Sequence, residues 1–430
     1  MQGVYFKNIH IDNAFCFAKD QQLSFENREG SWAKWNVILG DNGTGKTTLL
    51  KLLASLEMHE MQNADNTKCW VPQTGVFPPP SNWEEEEEED CNVRVDLFMQ
   101  GDKYVKPIEL GIKDFFPFKF SIQNQVEYGL LQCFGYGATR VMGNTLLAET
   151  ESAGNSASLF YEYISLINAE EWLLQLDYSA NITSDIQVFV KKQREQVKAI
   201  LIDLLPGVED IQFAKPTMES KIPKVEFKTF LGWVNMQNLS LGYKTMVAWI
   251  VDFAYRMYKR YPNVENPLTE PAIVLVDEID LHLHPKWQRQ IFTHLNKVFP
   301  ATQFIVTAHS PLIVQSIPGD ANLILLKQEG NKVTIDQNLE SVKYWRIDQI
   351  LSSELFDLPV RSDEVEEKLE RRRTLTAKPA KTLQEEQELR DLQAFANQLP
   401  YAESKVDSDA RELIRRTSEF LKQHKDFSNL

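Results

Sequence analysis

Apolar and polar residues alternate over 4–12 (VYFKNIHID) and again around 21–25, the two-residue period of a half-buried strand. Both stretches are expected to be antiparallel edge strands. Trp35–Leu39 is an unbroken apolar run that ends in Gly40, as a buried strand would, and a helical pattern follows from Lys46 through Leu56. Pro72, Pro78–Pro80 and the acidic run Glu84–Asp90 then punctuate the chain, so 60–92 reads as a surface loop carrying a solvated charge block. Residues 108–238 are mixed and mostly helical. EYISLINAEEWLLQLDY (162–178) and FVKKQREQVKAILIDLL (189–205) have apolar residues every three or four positions, and 210–235 suits a short β-hairpin.

From 239 to 326 the pattern alternates between helix and strand: LSLGYKTMVAWIVDFAYRMYKR, AIVLVDE, PKWQRQIFTHLNKVF and QFIVTAHS. That order implies a parallel sheet with crossover helices. ANLILLKQE and NKVTIDQ add a hairpin, and charged helices are expected at 363–373, 383–398 and 407–424. No heptad pattern lasts long enough for an extended coiled coil. The expected fold is therefore α/β, a mixed sheet with a parallel core. The expected division is a head from 1–59 and 236–340, an insertion over 60–235, and a helical C-terminal region over 341–430. The insertion would open with an acidic, proline-rich loop and continue as a mostly helical lobe.

The chain has 430 residues, of which 43% are hydrophobic, enough to bury a sizeable core. No run of about 18 apolar residues offers a membrane span. The start, MQGVYFKNIHIDNAF, lacks the basic and apolar regions of a signal peptide. Cys16, Cys69, Cys91 and Cys133 are scattered, without a CxxC pair, and read as reduced thiols. A cytoplasmic protein that makes no use of a membrane is expected. The formal net charge of −15 opposes a broad grip on a polyanion, although a local basic patch is compatible with it.

The chemistry begins at Gly40-Asp41-Asn42-Gly43-Thr44-Gly45-Lys46-Thr47, which fits G-x-x-x-x-G-K-[ST] between a strand and a helix. Glycines there let backbone N–H groups turn inward around phosphates, and the helix N-terminus adds partial positive charge. Residues 40–48, including Thr48, are expected to cradle the phosphates of ATP. Lys46 would reach the β/γ-phosphates in binding and catalysis, and the Thr47 hydroxyl would ligate Mg²⁺. The apolar strand Ala272–Val276 delivers Asp277 and Glu278 to its end. Two carboxylates placed there are costly unless they meet a cation or water. Asp277 is expected to hold Mg²⁺, and Glu278 to orient the attacking water. His309 ends a second apolar strand, Phe304–Ala308, where an imidazole would contact the γ-phosphate. His282 and His284 in IDLHLHPKW lack a third ligand and read as structural.

Asn238-Leu239-Ser240-Leu241-Gly242-Tyr243-Lys244 resembles the signature of ABC-class ATPases, Asp280 the aspartate of their D-loop, and His309 their switch histidine. The order of these motifs along the chain is that of the class. The resemblance implies that Ser240 and Gly242 form a second phosphate-binding surface, facing the nucleotide of another subunit. ATP would then hold two heads together as a homodimer or higher homo-oligomer. The segment between cradle and signature lacks both a transporter's glutamine loop and a long coiled coil. VDEIDLHLHPKWQ and FIVTAHSPLIVQSI resemble instead the compact branch of SMC-like AAA ATPases related to the OLD family. CFGYGATR (133–140) resembles a segment of that branch, which would bring Arg140 near nucleotide. The tail from RIDQILSSELFDLP resembles ATPase subunits of Septu- and retron-type phage-defence systems. In those systems the resemblance implies a separate nuclease or toxin effector, with nucleic acid met through the complex. A RecF-like repair ATPase acting on DNA and a transporter ATPase subunit are the alternatives.

Overall fold

The computed structural model describes residues 3–62, 68–72, 91–99, 107–112, 131–144, 154–218, 221–337, 342, 345–353, 355–356 and 361–399. The chain divides into two compact units, 1–347 and 348–430. The first unit opens with β1 (Val4–Asp12), β2 (Gln21–Ser24), β3 (Trp35–Gly40) and α1 (Lys46–Ser55). There follow β4 (Met58–Gln62), β5 (Lys68–Pro72), β6 (Cys91–Met99), β7 (Pro107–Ile112) and β8 (Cys133–Tyr136). Next come α2 (Ala157–Phe160), α3 (Ala169–Asn181), α4 (Gln187–Leu204), β9 (Asp210–Ala214), β10 (Lys224–Thr229) and β11 (Gly232–Asn235). The unit continues through α5 (Leu241–Arg260), β12 (Ala272–Val276), α6 (Pro285–Gln288), α7 (Ile291–Val298), β13 (Thr302–Thr307) and α8 (Pro311–Ser316), then β14 (Asn322–Glu329) and β15 (Lys332–Asp336).

The central sheet runs β15-β14-β3-β13-β12-β8. Every neighbouring pair is parallel except the β14/β15 hairpin. Such strands are buried on both faces, as their near-continuous apolar sequences require. Side-chain alternation divides the core. Ile38, Ile273, Leu275 and Ile305 meet Leu49, Leu50 and Leu53 of α1 and the inner face of β1 in one apolar cluster. On the opposite face Trp35 stacks on Phe304 at 4.3 Å and meets Phe292 of α7 edge-on at 4.6 Å. Phe253 of α5 joins Phe134 of β8 and Phe299 there.

A second sheet runs β2-β1-β6-β7, all antiparallel. β1 is therefore interior, where an edge strand was expected. Alternation reports a half-buried face and says nothing of whether both edges are paired. Gln303 of β13 ties the sheets together, accepting from the Phe6 N–H at 2.8 Å and donating to the Phe6 carbonyl at 2.9 Å. The register of β1 on β6 shifts between Phe6 and Asn8, beside this substitution of a side-chain amide for a strand partner.

The expected loop over 60–92 is instead entered through the β4/β5 hairpin and left at Cys91, where β6 begins. Pro72 closes β5 opposite Met58, and Pro78–Pro80 lie outside the described residues. The acidic run Glu84–Asp90 lies outside the described residues. β6 and β8 both fall within 60–235, yet they pair with β1 and β12 of the head. The helix expected over 162–178 starts only at Ala169, where the Asn168 side chain caps it by accepting from the Glu171 N–H. The hairpin expected over 210–235 is a three-stranded antiparallel sheet, β11-β10-β9. In the second unit, α9 (Ile347–Leu351) enters at the boundary, and α10 (Asp363–Ala377) and α11 (Leu383–Gln398) carry ion pairs Arg371–Glu388 and Lys378–Glu385. The helix expected at 407–424 lies outside the described residues. None of the described helices is long and apolar enough to cross a membrane.

The fully buried Asp252 locks α5 to β8. It accepts from Arg256 Nε at 2.7 Å, the Tyr136 hydroxyl at 2.9 Å and the Ile167 N–H at 3.2 Å. Asp252→Ala strands a buried guanidinium, and breaking such a pair costs about 3–5 kcal/mol. A large drop in the urea midpoint is expected; an unchanged midpoint would mean that the pair contributes nothing net.

Candidate active site

Three parallel strands end side by side. β3 runs into the glycine-rich loop, β12 into Asp277-Glu278, and β13, between them, into His309. Convergence of loops at the carboxyl ends of parallel strands is where open α/β sheets bind ligands.

Gly45 precedes α1 with φ 80, and a Cβ there would lie 2.5 Å from Cys16 Sγ. Only glycine meets both demands. Asp41, Asn42 and Gly43 are exposed on the loop, and nothing lies within 4 Å of where a Gly43 Cβ would stand. Gly40 and Thr44 flank them, with the Thr44 hydroxyl donating to the Asp41 carbonyl at 2.8 Å. Lys46 Nζ donates to the carbonyls of Gly40 at 2.8 Å and Asp41 at 2.7 Å. Burial pushes its ammonium pKa down, and the nearby Asp277, Glu278, Asp41 and Asp280 oppose that shift. Thr48 stands in the first turn of α1 and is partly buried. An open loop rimmed by backbone N–H groups, beside an ammonium at a helix N-terminus, fits a phosphate chain.

The Asp277 carboxylate closes this corner. Thr47 donates to its Oδ2 at 2.7 Å and Thr307 to its Oδ1 at 2.6 Å. Thr307 Oγ1 also accepts the Glu278 N–H at 2.7 Å. Glu278 has φ 48, a left-handed backbone uncommon for a non-glycine residue. One threonine on β13 therefore sets both acidic residues that follow β12. The expectation did not include Thr307; its signal was a polar residue inside the apolar run FIVTA.

Beyond Glu278, Asp280 accepts the His309 N–H at 3.3 and 3.1 Å. Burial raises the Asp280 pKa. Gln288 of α6 gathers the same turn: its amide nitrogen donates to the carbonyls of Asp280 and Leu283, and its oxygen accepts from Ser310. This residue too was missed, since a lone glutamine in HPKWQ carries no chemical signature. His284 caps α6 by accepting from the Lys286 N–H at 3.3 Å. Among the described residues no three His, Cys, Asp or Glu side chains gather to hold a metal ion.

Ser240 is the N-cap of α5, exposed, and its hydroxyl makes no capping hydrogen bond. A Cβ on Gly242 would lie 2.5 Å from the His282 carbonyl, so the start of α5 abuts the turn after Asp280. Among the described residues no hydrogen bond links Ser240 or Gly242 to the glycine-rich loop. Arg140 stands beside the acidic pair and gives its guanidinium fork to the carbonyls of Asp277 and Glu278.

A glycine-rich loop between strand and helix, beside an Asp-Glu pair at a parallel strand end, is the arrangement of a P-loop nucleotide site. A family model described as "AAA domain, putative AbiEii toxin, Type IV TA system" matches residues 172–315. The chain is 27% identical over 394 residues to the Septu protein PtuA of Bacillus mycoides (strain KBAB4), covering 90% of this chain and 50% of that one. It is 31% identical over 206 residues to the retron Ec83 probable ATPase of Escherichia coli, covering 48% of this chain and 35% of that one. The matches thus span half or less of those relatives' own length. A solved SMC head bound to the C-winged helix domain of ScpA overlays with a TM-score of 0.47 at 14% identity, covering 79% of this chain and 99% of that one. Over parts of their length the chain is thus similar to an AAA domain, to the Septu protein and to the retron probable ATPase.

Thr307→Val removes a hydroxyl with little change of shape and leaves an Asp277 oxygen and the Glu278 N–H without their partner. Such orphaned groups cost about 1–3 kcal/mol. Thr307→Val is expected to lower both the thermal midpoint and ATP turnover, and Thr307→Ser, which keeps the hydroxyl, to restore most of each. Equal behaviour of the two variants would remove the hydroxyl from the site.

Proposed function

We propose that this chain binds Mg·ATP between two copies of its head, hydrolyses it slowly, and uses the cycle to control a separate effector, a nuclease, in phage defence. Residues 40–48 take the phosphates, with Lys46 on the β/γ-phosphates. Thr47 and Asp277 would hold Mg²⁺, which would supply charge neutralisation across the phosphates. Glu278 orients and polarises the attacking water, and His309 contacts the γ-phosphate with its backbone steadied by Asp280. Ser240 and Gly242 complete the site of the opposite copy.

The observation that carries the paired arrangement is the N-terminus of α5. Ser240 is exposed with an unused hydroxyl, and Leu241 beside it is 59% exposed. A 20-residue helix that presents its first turn to solvent offers backbone N–H groups and partial positive charge to an anion. The cradle on the same chain already has its own helix N-terminus in α1, so this second one is free for a phosphate brought by another copy. The effector half of the proposal rests on the similarity to Septu and retron proteins.

Glu278→Gln is expected to bind ATP with near-normal affinity and to release phosphate at least tenfold more slowly, a barrier increase of about 1.4 kcal/mol. In that background ATP should accumulate paired heads, read by cross-linking Ser240→Cys to a cysteine near Gly43 after the native cysteines are replaced. Ser240→Arg in a Glu278→Gln protein should abolish ATP-dependent association by light scattering while leaving ATP bound to Lys46 and Thr47. A cross-link yield indifferent to ATP, with full ATPase activity in Ser240→Arg alone, would exclude the shared site.

A further inference from the structure

Arg140 follows β8 and is 2% exposed. Its Nη1 donates to the Asp277 carbonyl at 2.7 Å and its Nη2 to the Glu278 carbonyl at 2.8 Å. Those carbonyls belong to the two peptide units on either side of the Glu278 Cα. The Glu278 N–H is held by Thr307. Both polar backbone groups of Glu278 are thus fixed, and Arg140 supplies the only side-chain donor to its carbonyl among the described residues. The Glu278 carboxylate accepts no hydrogen bond from any described residue, so its direction is set by the backbone that carries it. That backbone is left-handed at φ 48, a conformation that persists in a non-glycine residue only where its surroundings impose it.

Arg140 is itself in the left-handed region at φ 32. Burial pushes its guanidinium down to about 10, with Asp277, Asp280 and Glu278 opposing the shift, and its Nε has no partner. A buried cation with one unused donor is an expensive way to close a turn. A planar fork, however, presents two N–H groups in fixed directions to two neighbouring carbonyls, where a lysine ammonium holds them with less geometric control.

We infer that Arg140 is a positioning residue for hydrolysis: its guanidinium clamps the peptide units flanking Glu278 and so aims the Glu278 carboxylate at the attacking water. This rests on the reading of Glu278 as the water-orienting group. Arg140 acts through the backbone around Glu278, to which both hydrogen bonds of its fork lead, and not as a catalytic residue.

The test is a double-mutant cycle in ATP turnover, with ATP affinity measured separately by titration of the full-length protein. Arg140→Met is expected to keep ATP affinity within about threefold and to lower kcat at least tenfold. Placed on Glu278→Gln, the same change should lower the residual kcat by less than about twofold, because the group it aims is already disabled. A merely structural residue would lower both backgrounds alike. If Arg140→Met does not fold, Arg140→Lys keeps the buried charge and enters the same cycle, with at least about a threefold loss expected that vanishes on Glu278→Gln. Wild-type kcat in folded Arg140→Lys or Arg140→Met would overturn the clamp, as would equal losses in both backgrounds or a loss confined to affinity. Those results leave Glu278 in its role. Wild-type turnover in Glu278→Gln alone is the distinct result that removes the reading of Glu278 and the clamp together.

Discussion

One carboxylate organises the corner. Asp277 sits at the end of β12 and accepts one hydroxyl from Thr47 on α1 and another from Thr307 on β13. Three elements far apart in sequence are fixed to one another through two short hydrogen bonds to a charged, buried acceptor. Charge-assisted bonds of this kind are about twice as strong as neutral ones, and an orphaned buried carboxylate is heavily penalised. The parallel register of β3, β13 and β12 brings the ends of these strands side by side. Asp277 ties the glycine-rich loop to the acidic pair, and Thr307 passes the tie on to the Glu278 backbone.

From that anchor the constraint spreads outward. Arg140 and Thr307 grip Glu278 from its carbonyl and its N–H. Asp280 holds the His309 backbone, and Gln288 binds the turn after Asp280 to Ser310. Gly242 leaves no room between α5 and the His282 carbonyl. In the proposed cycle, a phosphate arriving at Ser240 from a second copy would meet a helix already packed against the turn that holds Asp280. A displacement of α5 therefore has a short path to the hydrolytic residues of the same chain.

Much of this corner was legible in the sequence because its motifs sit where strands end. The run Trp35–Leu39 before the glycines and AIVLV before Asp277-Glu278 are continuous apolar stretches, the mark of parallel strands buried on both faces. α4 was legible from its apolar residues at three- and four-residue spacing. What the sequence hid were elements defined by their partners. β8 is four residues long and resembles any short buried segment until β12 lies beside it. β1 reads as an edge because alternation is blind to β6. Arg140, Thr307 and Gln288 act through backbone atoms of distant residues, and a contact to a carbonyl leaves no residue-type signature on the receiving side. Of the strands described within 108–238, β8 is decided by its distant partner β12, whereas β9, β10 and β11 pair with one another.

The paired, nucleotide-bridged head is tested most directly by an experimental structure of Glu278→Gln grown with Mg·ATP. The γ-phosphate should lie between Lys46 of one copy and the α5 N-terminus at Ser240 of another, with both copies contributing to each of two equivalent sites. A nucleotide bound wholly within one head, with Ser240 facing solvent in every copy, would contradict the shared site.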